Sequence, residues 1–197
     1  MPKRFHQTCP FPVHVDWLPY AGLLDKRDPD GIELVVVHCT ELPDLAMARE
    51  YGERIHHRDS GTGNSGHFYI DRDGRVEQWV PLGRVAHHVA DHNRNTVGIE
   101  LVNRGRYPHW WHAGNQAMTE PYPVDQIAAL VALVDALADH LPSLAGITGH
   151  EQLDTRMVEA EDDPGQRVPR KMDPGPCFPW AQVLDQCRLK FLPGPAP

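Results

Sequence analysis

Three polar residues stand where the sequence places the ends of structural elements and where nothing in the packing pattern calls for them: His38, His150 and Asp173. Two imidazoles and one carboxylate are the protein ligands of a catalytic zinc site, with the fourth position left to water or substrate. The three are far apart in the chain, so they lack the local signature of two histidines on one helical face. On residue types alone they read more readily as ordinary hydrogen-bonded polar groups than as metal ligands. Asp154, four residues after His150, is a competing carboxylate whose ordinary role would be a cap or an ion pair with Arg156. Glu100 is the next candidate. It sits in the middle of the apolar run Val97-Gly-Ile-Glu-Leu-Val102, where a carboxylate is either paired or functional. Thirteen histidines in 197 residues raise the prospects of metal binding and of acid–base chemistry near neutral pH together.

The elements that must position these residues are legible in outline. Glu33-Leu-Val-Val-Val-His38 is a short β-branched run after Asp30-Gly31 and predicts a buried strand with His38 at its end. Residues 44–57 predict a helix with Leu45, Ala48, Tyr51 and Ile55 on one face. The Ser-Gly-Thr-Gly-Asn-Ser-Gly stretch at 60–66 matches no phosphate-binding motif and is expected to be a flexible rim. His67–Asp71 and Arg75–Trp79 flank Asp73-Gly74 and predict a hairpin. Period-two alternation puts Val97, Ile99 and Leu101 on one face and Glu100 on the other, beside Gly98 and Val102. The same period puts Tyr69 on the face of His67, and both are expected to face a substrate cleft. The segment 104–123, with Trp110 and Trp111, reads as a long aromatic loop.

Val124–Leu141 carries a continuous apolar stripe between Pro123 and Pro142 and predicts a helix. A strand at 145–150 ending in His150, a polar loop over 154–172 and a helix over 180–191 complete the chain. Interleaved strands and helices with at least one hairpin imply a single α/β domain, a central mixed sheet flanked by helices. Residues 1–31, with five prolines, predict an irregular N-terminal arm before a domain over 32–191, and 192–197 a C-terminal tail.

The formal charge of −8 disfavours nucleic acid and an anionic membrane surface as partners. No signal peptide precedes the first element and no apolar run is long enough to span a membrane, so a cytoplasmic protein is expected. The four cysteines form no C-x-x-C pair, and packed free thiols are the expectation, Cys39 and Cys177 included, although each lies near a candidate ligand.

The ordered set Val-Val-Val-His38-Cys-Thr, His67-Phe-Tyr-Ile-Asp-Arg-Asp-Gly, Val80-Pro81, Ala86-His-His88, Val-Gly-Ile-Glu100, Thr148-Gly-His150 and Arg170-Lys-Met-Asp-Pro-Gly-Pro176 resembles the zinc-dependent N-acetylmuramoyl-L-alanine amidases. These form an AmpD-like family related to phage amidases and peptidoglycan-recognition proteins. The resemblance runs from about residue 33 to 185. It implies one zinc per chain on His38, His150 and Asp173, with Glu100 assisting the metal-bound water. Lys171 matches the lysine that stabilises the transition state, and His88 a histidine lining the substrate cleft. His87 stands where relatives often carry tryptophan, and the 154–170 loop is longer and more acidic than in compact members. The implied activity is hydrolysis of the amide between N-acetylmuramic acid and L-alanine in peptidoglycan or muropeptides. The negative charge leans toward soluble 1,6-anhydro-muropeptides. A lytic amidase acting on intact wall and a non-catalytic peptidoglycan-binding module are the rival readings.

Overall fold

The computed structural model of the chain describes residues 5–193. One helical turn, Phe5–Thr8 (α1), leads to a short strand, Val13–Val15 (β1). Leu34–Cys39 (β2) precedes a helix, Leu45–Glu53 (α2), whose first turn is capped by Asp44 accepting from the Met47 N–H at 2.7 Å. Phe68–Ile70 (β3) and Val76–Gln78 (β4) form the expected hairpin, its turn closed where Gly74 takes a φ of +83°. Thr96–Leu101 (β5), Val124–His140 (α3) and Gly146–Gly149 (β6) follow. His150–Leu153 is one helical turn (α4), Met157–Glu159 (β7) and Arg167–Pro169 (β8) make a second hairpin, and Trp180–Gln186 (α5) and Lys190–Phe191 (β9) end the fold.

Seven strands make the main sheet in the order β1-β4-β3-β5-β2-β6-β9, parallel throughout except for the β3–β4 hairpin. Period-two alternation decides what each face meets. Val35, Val37, Val97, Ile99, Leu101 and Ile147 join the core that contains Ile127, Leu130, Val134 and Leu137 of α3 and Val183 of α5. The opposite face carries Tyr69 and Val102, packed with Leu45 and Ala48 of α2 and with Leu18, Tyr20, Leu24, Trp79 and Val80. Helices and buried loop therefore cover both faces, as a mostly parallel sheet requires. Among the described residues no helix is long and apolar enough to cross a membrane.

Several expectations need correction. The N-terminal arm is irregular only in part: α1 and β1 lie within it, β1 extends the sheet, and Phe5, Leu18, Tyr20 and Leu24 are core residues. Helix α2 stops at Glu53, where Arg54 turns extended, and Ile55 is exposed. The 60–66 stretch is a packed segment, not a flexible rim. A Cβ on Gly63 would stand 2.1 Å from the Arg54 carbonyl oxygen, and one on Gly66 2.8 Å from Glu100 Cγ, so glycine lets the chain run this close. The 154–172 segment contains the β7–β8 hairpin. The last helix ends at Gln186, and 190–191 pairs with β6 instead of continuing it. Most of the expected tail, and residues 1–4, lie outside the described residues. All four cysteines are free, and Cys177 is exposed rather than packed.

Candidate active site

Register brings the chemistry together. Tyr69 on β3 is opposite Glu100 on β5, and Glu100 is opposite His38 on β2, so the three form one row on the α2 face. The next strand, β6, has Gly149 opposite Val37 and ends there, and His150 opens α4 immediately beyond. Functional side chains thus gather at the carboxyl ends of parallel strands, where open α/β sheets place their ligands. Asp173 arrives from the loop after β8. Its carbonyl accepts from the Glu151 N–H at 3.0 Å, and the Pro174 carbonyl accepts from the Tyr122 hydroxyl at 2.7 Å. Gly149 makes room for this loop, since a Cβ there would be 2.8 Å from Pro174 Cδ.

His38 Nδ1 and His150 Nδ1 lie 3.0 Å apart, and 2.9 and 3.0 Å from Asp173 Oδ2. All three residues are buried, at 2, 3 and 2% exposure. Three such atoms cannot satisfy one another by hydrogen bonding alone. Two N–H groups aimed at one oxygen crowd their own hydrogens, while a bare nitrogen would face the carboxylate lone pairs. A cation between them removes both conflicts. His150 Nε2 and Asp173 Oδ1 are, in addition, buried without a hydrogen-bond partner. The donor set therefore fits a metal, and two imidazoles with a carboxylate suit zinc. Burial lowers the His38 pKa to about 4, which leaves the imidazole neutral and able to ligate. Burial works against the Asp173 carboxylate. The neighbouring His150, Lys171 and His38 outweigh it and hold the group well below its ordinary value.

The triangle forms the floor of a cleft of about 400 Å³, walled by Tyr51, Tyr69, His87, Trp110, Trp111 and Lys171 among others. Glu100 lines the same cleft and makes no hydrogen bond to the described residues. Burial, reinforced by the Asp173 charge, raises its pKa to about 8, with Lys171 pulling the other way. Tyr69 stacks on Trp79 with ring centroids 3.4 Å apart, and its hydroxyl accepts from the Gly66 N–H at 3.2 Å. His88 lines the cleft too. His67 does not: it is fully buried beside β5, with Nδ1 accepting from the Gly98 N–H at 3.1 Å and Nε2 against Arg27 at 2.7 Å. His67, one residue before β3, is turned inward, where it supplies the acceptor for the Gly98 N–H. Asp154 points away from the triangle into ion pairs with Arg156 and Arg170.

Sequence reasoning missed the Glu41–Arg106 pair, bidentate at 2.7 and 2.9 Å beside the cleft, and Thr96 behind it. No local spacing announces either, because their partners come from remote segments.

A parallel-rich sheet whose strand ends hold a buried His–His–carboxylate triangle, with a free carboxylate in the same cleft, defines a candidate metal-dependent hydrolase. Residues 27–176 match the N-acetylmuramoyl-L-alanine amidase family, and the chain belongs to that family. It is 27% identical over 178 residues to the 1,6-anhydro-N-acetylmuramyl-L-alanine amidase AmpD of Citrobacter freundii, covering 80% of this chain and 81% of that one. To the AmpD of Enterobacter cloacae it is 30% identical over 122 residues, or 57% of this chain. The match spans about half, 51%, of the Enterobacter cloacae protein. Among solved structures, the endolysin amidase LysCS of Clostridium intestinale superposes with a TM-score of 0.61 at 20% identity, covering 90% of this chain and 96% of that one. That likeness concerns the fold.

Proposed function

We propose that this chain is a zinc-dependent amidase that hydrolyses the bond between N-acetylmuramic acid and L-alanine in muropeptides, 1,6-anhydro-muropeptides foremost. The observation that carries the reading is the His38–His150–Asp173 triangle opening on a cleft that also holds Glu100 and Lys171. The choice of substrate is supported by the AmpD relatives, which are named for the 1,6-anhydro sugar. His38, His150 and Asp173 would hold one zinc. When bound, zinc polarises the amide carbonyl and lowers the pKa of water at its open position to about 7.

The chain's own residues account for the rest. Glu100 takes a proton from the attacking water and returns it to the leaving amine, which an amide needs because its amine is a poor leaving group. With a pKa of about 8 the carboxyl holds its proton readily, and a dication nearby would draw that value down toward neutrality. Lys171 offsets the negative charge that develops on the carbonyl oxygen. Tyr69 braces the wall beside Glu100, and Trp110 and Trp111 offer flat apolar faces to a sugar ring or stem peptide.

The test is to incubate zinc-loaded protein with 1,6-anhydro-muropeptide and, separately, with purified sacculi, and to follow release of the stem peptide by mass spectrometry. Release from the soluble fragment is expected. Glu100→Gln should bind zinc as the wild type does and lose about 10²–10⁴ in rate. No release from either substrate would refute the amidase reading and favour a binding module. Release from sacculi alone would replace the muropeptide substrate by intact wall.

A further inference from the structure

A line of hydrogen bonds runs from His38 through His88, at the cleft wall, to the buried Thr96. His38 Nε2 is 3.0 Å from His88 Nδ1, and His88 Nε2 is 3.1 Å from Thr96 Oγ1. The Thr96 hydroxyl in turn donates to the His92 carbonyl at 2.8 Å. This last contact sets the direction of the others. A hydroxyl has one proton and a carbonyl only accepts, so Thr96, having given its proton to His92, must accept from His88 Nε2–H. A neutral imidazole protonated on Nε2 has a bare lone pair on Nδ1. His88 Nδ1 therefore accepts from His38 Nε2–H, and His38 is left with its lone pair on Nδ1. That is the nitrogen in the triangle with His150 and Asp173.

We propose that His88 and Thr96 are positioning residues that hold His38 in the tautomer and ring orientation needed to bind metal, with His88 acting from behind the ligand rather than on the substrate. The proposal rests on the reading of the triangle as a metal site. Metal-bound histidines usually donate their second N–H to a carboxylate, carbonyl or water. Here an imidazole takes that place, and a buried threonine orients it.

The surroundings restrain every link. A Cβ on Gly98 would stand 2.6 Å from His88 Cγ and 2.7 Å from its Nδ1, so the ring lies directly on the β5 backbone. Asn93 Oδ1 accepts from the His88 and Val89 N–H groups at 2.9 and 2.8 Å. Arg27 donates to the Thr96 carbonyl at 2.6 Å and abuts His67, whose Nδ1 accepts from the Gly98 N–H. The stretch of β5 beneath His88 is thus held at its flank as well, where the His67 ring meets that of His88 with centroids 5.6 Å apart. Thr96 is fully buried and does not line the cleft.

The experiment measures zinc affinity by chelator competition, with the urea midpoint of each variant as a control for folding. Thr96→Val keeps the side-chain shape and removes the hydroxyl, whereas Thr96→Ser keeps the hydroxyl. His88→Leu removes the acceptor, whereas His88→Asn restores an amide oxygen near the Nδ1 position. Zinc binding is expected to weaken about 10–100-fold in Thr96→Val and His88→Leu, the range for losing a group that orients a ligand. Thr96→Ser should stay close to wild type, and His88→Asn should recover much of what His88→Leu loses. Wild-type affinity in a folded Thr96→Val protein would overturn the proposal. So would an Asn variant no better than the Leu variant, which marks a packing role, or a His88 series that moves KM and leaves the zinc Kd unchanged, which marks a substrate contact. A wild-type chain with no zinc affinity would remove the metal reading itself, an outcome distinct from these.

Discussion

Replacing Arg106 by methionine should both destabilise the protein and slow it, and the two effects should separate. Arg106 is 1% exposed and Glu41 6%. Nε and Nη2 of the arginine donate to Glu41 Oε1 and Oε2 at 2.7 and 2.9 Å. Nη1 donates to the Pro169 carbonyl at 2.9 Å, and Nη2 reaches the Arg170 carbonyl at 3.4 Å. Those carbonyls belong to the segment that delivers Lys171 and Asp173 to the cleft. Removing the guanidinium strands a buried carboxylate, which typically costs about 3–5 kcal/mol. Glu41 keeps one donor, the Arg106 N–H at 3.2 Å. The lower end, about 3 kcal/mol, is therefore expected. The double variant Glu41→Gln/Arg106→Met removes the stranded charge as well, and should regain much of that loss because exchanging both partners of a buried pair is often near neutral. The Pro169 carbonyl still lacks its donor in the double variant, and the Arg170 carbonyl keeps only Trp111 Nε1, so turnover should stay low. Urea unfolding and amidase rates, measured on all three proteins, test both halves. A single-variant loss below about 1 kcal/mol, the level of an exposed pair, would refute the buried-charge argument. Turnover restored in the double variant would refute the anchoring argument.

Acidification should unfold the metal-free protein partly through His67. Burial, with the Arg27 charge second, holds its pKa well below the ordinary value. Above about pH 6.5 the group is neutral in both states; below it only the unfolded chain takes up the proton, and stability falls by about 1.4 kcal/mol per pH unit until the folded value is reached. Urea midpoints measured between about pH 4 and 7 should fall more steeply for wild type than for His67→Gln, and equal slopes would show that His67 does not contribute. Gly149→Ala places a Cβ 2.8 Å from Pro174 Cδ and 3.2 Å from Trp180. Overpacking of this kind costs about 1–3 kcal/mol, and because Pro174 follows Asp173 the zinc affinity should fall too. An unchanged zinc Kd would mean that Asp173 does not depend on this contact.

What was legible in the sequence had a period or a punctuation mark. The β-branched run ending at His38 marks a buried strand, and the alternation across Val97–Val102 is long enough to show which face is apolar, and hence that Glu100 leaves the core. Helix α3 is bracketed by Pro123 and Pro142. The row Tyr69–Glu100–His38 needs one more fact, the register of β3, β5 and β2, which is set by long-range pairing and by no local residue. Strands β1, β7, β8 and β9 have two or three residues each, too few to display a period of two. For β1, Pro10 and Pro12 also disguise the segment as loop, although proline beside an edge strand removes no ladder bond. His67 was misassigned for a related reason: alternation gives its side of the sheet, but not that the ring turns into the interior, where it meets the Gly98 N–H.

The acidic 154–172 segment changes what the charge of −8 can mean. Asp154 is paired with Arg156 and Arg170. The Glu161 N–H donates to the Trp111 carbonyl at 2.9 Å, and Asp162 accepts from the Ala113 and Gly114 N–H groups at 2.6 and 3.3 Å. Trp111 Nε1 then reaches back to the Arg170 carbonyl at 3.4 Å. These acidic residues therefore fasten the aromatic loop to the segment carrying Lys171 and Asp173, and help to build the cleft wall. Elsewhere Glu50, Glu53, Glu120, Asp135 and Asp139 are matched by arginines. Charges neutralised within a few ångströms contribute little field beyond a Debye length of about 8 Å at physiological salt. The net charge, which such pairs leave at −8, is itself screened over that distance and is a weak reason to prefer a small fragment over an anionic polymer. Selection between them has to come from contact at the rim, where Trp111, 40% exposed, is held in place by the hairpin segment. Cutting that tie with Asp162→Ala should accordingly alter the ratio of muropeptide to sacculus cleavage, while a change in salt should not.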